Sequence, residues 1–156
     1  MRVERAIALP VRREEAWGVL VDWERQADWL RDADRVEVTS PQREGPGVTL
    51  AVRTRLFGIP AFVEPIEVVG WDPPRVLSIR HGGPVAGTGR WMLEPVEGGT
   101  RFAWVEEVRL EVPVVGELAA SVYAPILGVL MGRAMEGLRR YLIAAGPEGL
   151  APAPRP

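Results

Sequence analysis

The chain has 156 residues, 47% hydrophobic and 26% charged, the size and balance of one globular domain around a single sizeable core. Nineteen basic residues, all arginine, stand against 21 acids, and a net charge of −2 argues against general attraction to nucleic acid or to an anionic membrane. With no cysteine there is no disulfide, thiolate nucleophile or Cys-based zinc site; with His81 as the one histidine there is no multi-histidine metal centre, so no cofactor or metal is expected.

Residues 2–9 place Val3, Ile7 and Leu9 on one parity, as in a half-buried strand that Pro10 ends. A short helix follows over 12–20, with Glu14 and Glu15 in its first turn where the helix dipole favours acids. A second short helix is predicted over 22–30, with Asp22 as its N-cap. From Val36 to Val112 the apolar period becomes two, giving strands at 35–40, 47–57, 61–71, 75–81, 87–95 and 100–112. The turns between them are too short for parallel crossovers, so the strands form an antiparallel meander.

After Pro113 the period is helical again. Leu127, Leu130, Met131, Ala134, Met135, Leu138, Tyr141 and Leu142 make one stripe of a helix expected over 116–145, with a kink or break at Pro125. The first half of that helix is apolar nearly all round, as though covered on more than one side. The Gly/Pro/Ala-rich tail, 146–156, is expected to be flexible. Arg2, Glu4 and Arg5 precede any apolar run, so no secretory signal is read. The charge-free stretch 118–132 is shorter than the ~20 residues that span a bilayer. A cytoplasmic protein without a transmembrane segment is the expectation, with transient membrane contact left open.

These elements make an α+β domain in which only the final helix is long enough to cover the apolar face of the sheet. The gap left between a curved sheet and one helix is then the natural ligand site. Several segments carry a family resemblance: Pro10 to Asp22 followed by Trp29; Trp71-Asp72-Pro73-Pro74-Arg75; Gly89-Arg90-Trp91 running to Leu93-Glu94-Pro95; Gly99-Thr100-Arg101; and the Leu-rich terminal helix. In this order and spacing the chain resembles the helix-grip (SRPBCC) superfamily of START domains, polyketide cyclases and Bet v 1-like proteins. The resemblance implies one domain over 1–145, a curved antiparallel sheet of about seven strands wrapped around a long C-terminal helix, and two short helices after strand 1.

In the last strand Phe102, Trp104, Val108, Leu110 and Val112 share the inward parity, and so does Glu106, a carboxylate on an apolar face. It reads as a wetted residue at a cavity mouth, as a polar ligand anchor, or as an acid/base group. His81 shares its parity with Leu77 and Ile79; as a strand-end residue before Gly-Gly-Pro it reads as exposed, and if turned inward it would join Glu106. Trp91 and Trp104 lie on strands facing the helix, and Thr54 shares the inward parity of its strand. Tyr123, Leu127, Met131 and Met135 lie on the helix, where Met suits irregular space. Trp17, Trp23, Trp29 and Trp71 read as packing residues. Gly87-Thr88-Gly89 starts a strand and so is no phosphate loop.

Three functions fit this pattern. The first is a non-enzymatic binder or carrier of a hydrophobic small molecule (lipid, isoprenoid or aromatic/polyketide-like). Its ligand would touch Glu106, Trp104, Phe102, Trp91, His81, Thr54, Tyr123, Leu127, Met131 and Met135 in a pocket of several hundred Å³. The second is a cyclase/dehydratase-type enzyme using Glu106 with His81 or Tyr123. The third is an interaction module docking through 118–132. Either a monomer or a homodimer is compatible with all three.

Overall fold

The computed structural model describes residues 1–56, 58–83, 85–110 and 116–149. In chain order the elements are β1 (Arg2–Leu9), α1 (Arg13–Leu20), a 3-10 helix (Trp23–Asp28), β2 (Ala33–Val38), β3 (Thr49–Leu56), β4 (Ile59–Asp72), β5 (Val76–His81), β6 (Val85–Val96), β7 (Gly99–Leu110) and α2 (Gly116–Gly149). The strands form one antiparallel sheet in the order β1-β7-β6-β5-β4-β3-β2. This is the helix-grip architecture expected from the sequence. The meander from β2 to β7 follows from its short turns, and β1 closes the far edge by pairing with β7 from Arg2↔Glu107 to Leu9↔Thr100.

Local chemistry explains the junctions. Glu14 and Glu15 occupy the first turn of α1, and the backbone N–H of Arg12 donates to Glu15 Oε2 at 2.9 Å. The second short helix is a 3-10 segment, and Asp22 stands at its N-cap position without a side-chain capping bond. Three register shifts, at Ala33/Arg35, Thr54/Arg55 and Val68/Gly70, all fall in the β2–β5 half. Such bulges bend strands and increase their twist, which curves this half of the sheet around the helix.

Of the kink or break expected at Pro125 there is no break: the backbone of α2 keeps helical angles through it. Its departure from helical angles comes at Gly146 (φ 63), where a residue without Cβ interrupts the helix next to the end expected at 145. Residues 150–156 of the tail, and 111–112 of the last expected strand, lie outside the described residues. The helix sits close to the chain before β2: a Cβ added at Gly137 would collide with the carbonyl oxygen of Trp29, so only glycine permits this approach.

The two halves of α2 do different things. Met135, Leu138 and Leu142 sink into the core with Leu9, Leu20, Trp23, Trp29, Val36, Leu77 and Phe102. The preceding turns, with Leu127, Leu130, Met131 and Ala134, roof a cavity instead. Val122 and Val129 point outward and are more than half exposed, so 121–132 is not covered on every side. No helix among the described residues is long and apolar enough to cross a membrane.

Candidate functional site

The site begins with a gap in a strand. On β6, Gly87, Gly89, Trp91 and Leu93 share the inward parity, and the first two offer no side chain. Gly87 pairs with His81 on β5 and Gly89 with Glu106 on β7. Two residues that are not on neighbouring strands therefore meet across a bare strip of backbone: His81 Nε2 lies 2.9 Å from Glu106 Oε2. Both glycines are required. A Cβ at Gly87 (φ 152) would run into the Glu107 carbonyl oxygen, and one at Gly89 would come within 2.7 Å of Glu106 Oε1.

The imidazole has a second carboxylate. His81 Nδ1 is 2.9 Å from Glu64 Oε1, on the adjacent strand β4. The side chains of Glu64, His81 and Glu106 are 15%, 10% and 3% exposed. Glu106 in turn accepts a 2.5 Å hydrogen bond at Oε1 from the Trp104 indole. Glu64, His81, Glu106 and Trp104 thus form a continuous polar chain through an apolar interior. The Nε2–Oε2 contact is at ion-pair distance, but its N–H is not aligned along it, and both atoms are shut off from solvent.

Burial alone would lower the His81 pKa. The hydrogen bonds and charges of Glu106 and Glu64 outweigh it and push the pKa up to about 10. At neutral pH the ring is therefore an imidazolium clamped between two acids. Tyr123 has its pKa raised, first by burial and then by the negative charges of Glu64 and Glu106. Its ring is therefore electrostatically coupled to the site.

Beside this chain lies a cavity of about 150 Å³ between the sheet and α2. Its walls are mostly apolar, with Leu50, Val52, Ile66, Ile79, Trp91, Trp104 and the four α2 residues named above. Its polar lining is Gln26, Asp32, Thr54, Glu64 and His81. The Gln26 amide donates at 2.6 Å to the Leu20 carbonyl and so is turned toward the backbone. Asp32 has its pKa raised by burial, with Arg133 and Arg31 acting in the opposite sense. The cavity is smaller than the several hundred Å³ expected, because Trp91 and Trp104 pack edge to face at 5.5 Å and fill part of the span.

Of the ten residues expected to contact a ligand, Thr54, His81, Trp91, Trp104, Leu127 and Met131 line this cavity. Glu106 lies behind His81 and supports it. Phe102 on β7 and Met135 on α2 are core residues, 0% and 2% exposed, because both pack into the hydrophobic cluster instead of facing the hollow. Tyr123 is half-buried nearby without lining the space. His81 is turned inward, not exposed at its strand end. Glu64, Asp32 and Gln26 escaped the sequence reading, though Glu64 carried the signal used for Glu106: it falls between Phe62 and Ile66 on the inward parity of β4. Among the described residues no group of three or more His, Cys, Asp or Glu is arranged to hold a metal ion.

Comparison with known proteins supplies a wider frame. Residues 1–142 match the family model described as "Polyketide cyclase / dehydrase and lipid transport". The chain is 27% identical over 140 residues to the uncharacterized protein Rv2574 of Mycobacterium tuberculosis, covering 86% of this chain and 80% of that one. In structure it is similar to TTHA0849 of Thermus thermophilus, with a TM-score of 0.79, 21% identity and coverage of 94% and 99% of the two chains. It is also similar to the Zhui aromatase/cyclase of Streptomyces sp. R1128, with a TM-score of 0.66, 20% identity and coverage of 94% and 98%. At these identities the structural likeness speaks for the fold.

Proposed function

We propose that this chain, which belongs to the polyketide cyclase/dehydrase and lipid transport family, binds a small hydrophobic molecule in the cavity under α2 and does not transform it. The observation that carries this reading is the hollow itself: a mostly apolar space of about 150 Å³ with only a few polar side chains in its lining. A close-packed interior keeps few voids larger than water, so one of this size, walled by two tryptophans, is suited to an apolar guest. The experiment is mass spectrometry of small molecules retained by the native protein, followed by tryptophan fluorescence titration with what is found. Retention of an apolar compound that binds saturably supports the reading; no saturable response across a broad lipid and aromatic panel contradicts it.

One observation favours a second reading, an acid/base enzyme of the cyclase/dehydratase kind: Glu64 and His81 both line the cavity and touch each other at 2.9 Å. The chemistry favours binding instead. General acid–base groups work best with a pKa near the operating pH, whereas His81 holds its proton to about 10 and keeps both ring nitrogens against carboxylates. Incubation with a poly-β-keto thioester separates the two. Turnover that disappears in Glu64→Gln establishes the enzyme; an unchanged substrate supports the carrier. We place the protein in the cytoplasm on this reading.

A further inference from the structure

We propose that the cavity, taken as the binding site argued above, selects an apolar molecule whose polar end donates hydrogen bonds (an alcohol, phenol or amine) and rejects carboxylates. The proposal rests on the donor and acceptor inventory of the lining. Among the described residues, no lysine or arginine lines the cavity. The arginines whose charges reach Asp32, Arg31 and Arg133, border a different groove on the outer face of α2. The lining does contain one cationic ring, that of His81, but its Nδ1 is bonded to Glu64, and its Nε2, 2.9 Å from Glu106 Oε2 without an aligned N–H, is shut off from accessible surface, as is the unpartnered indole nitrogen of Trp91, so none of these nitrogens faces a guest. The Gln26 amide nitrogen donates one of its two N–H bonds to the Leu20 backbone carbonyl, which turns the group toward the backbone.

What remains facing the space is dominated by acceptors, the carboxylates of Glu64 and Asp32, beside the Thr54 hydroxyl and the Gln26 amide, which can act either way. Glu64, His81 and Glu106 together sum to a net negative charge when both acids are ionised. A carboxylate guest would meet like charge and unmatched acceptors in a partly desolvated site, whereas a hydroxyl or ammonium would find a charged acceptor. The volume limits the buried part to about one six-membered ring, the size that a dry engineered cavity of ~150 Å³ accepts.

A matched series tests this on the intact chain: cyclohexylmethanol, cyclohexylmethylamine, cyclohexanecarboxylate and methylcyclohexane, which differ only in the head group and do not absorb with tryptophan. The expected result is that the alcohol or the amine binds about ten-fold or more tightly than both the carboxylate and the hydrocarbon, the factor expected of one hydrogen bond to a charged acceptor. In Glu64→Gln, whose amide can also donate, the discrimination against the carboxylate should shrink. A carboxylate as tight as the alcohol, a hydrocarbon as tight as the alcohol, or an unchanged preference in Glu64→Gln overturns the proposal while leaving a binding cavity in place. Saturable binding by no member of the series removes the cavity reading along with it.

Discussion

Gly89 and Glu106 face each other across the β6–β7 ladder, and the side chain Gly89 lacks is the space in which the Glu106 carboxylate lies. Without that vacancy the acid could not reach both the Trp104 indole and the His81 ring. Gly89→Ala would put a Cβ 2.7 Å from Glu106 Oε1 and 3.0 Å from Ile79 Cγ1. The carboxylate is held at both oxygens and cannot swing aside without losing a partner. Urea unfolding should show a loss of about 1–3 kcal/mol, the usual cost of overpacking. An unchanged midpoint would mean that the strand relaxes freely there.

Glu106→Gln removes one of the two anionic partners of a buried imidazolium. The amide oxygen can still accept from Trp104, so the loss falls on His81. Stability should drop by about 3–5 kcal/mol, as when one member of a buried ion pair is deleted. The histidine pKa should move down toward its ordinary range. Denaturant melts and ring NMR shifts read the two effects separately.

The pH dependence has a definite sign. His81 titrates near 6.5 in an unfolded chain and at about 10 in the folded one. Its raised pKa contributes stability that is fully present below about pH 6.5 and is lost as pH rises through about 10. Unfolding free energy should therefore fall between these limits, by an amount on the order of a few kcal/mol. Because the chain has one histidine, its imidazole nitrogen signals need no assignment. They should show the doubly protonated ring still present at pH 8.5. A ring that is neutral at pH 7.5 would contradict the clamp.

Filling the hollow should abolish binding without harming the fold. Ala134 lines the cavity and is 3% exposed. In Ala134→Leu the added carbons enter empty space, so stability should stay within about 1 kcal/mol of wild type. Affinity for any cavity ligand should fall at least about ten-fold. Ala144→Leu, at an exposed position on the same helix, serves as the control with unchanged affinity.

The meander, the long helix and its interruption near Gly146 are legible in the sequence because period and turn chemistry are local. Glu106 was legible for the same reason, as a charged residue on an apolar parity. Its partnership with His81 was harder, because it depends on β6 lying between them with glycines at both inward positions. Gly87-Thr88-Gly89 is visible in the sequence, which excludes it as a phosphate loop but does not show its physical meaning, a hole in the wall. Glu64 could have been found by the parity argument. Asp32 and Gln26 could not, since they lie on a 3-10 helix and the connection to β2, where no period marks a face. Phe102 and Met135 show the remaining limit: parity tells inside from outside, and cannot tell a filled interior from a hollow one.

The most direct test of the account is a site-resolved NMR titration with cyclohexylmethanol, following the His81 ring and the six tryptophan indole signals. Binding in the cavity predicts saturable shifts at His81, Trp91 and Trp104. The Trp17 and Trp71 indoles, which pack against each other at 5.1 Å away from the cavity lining, should stay still. Saturable shifts confined to Trp17 and Trp71, or no saturable shift at His81, Trp91 and Trp104, would contradict it.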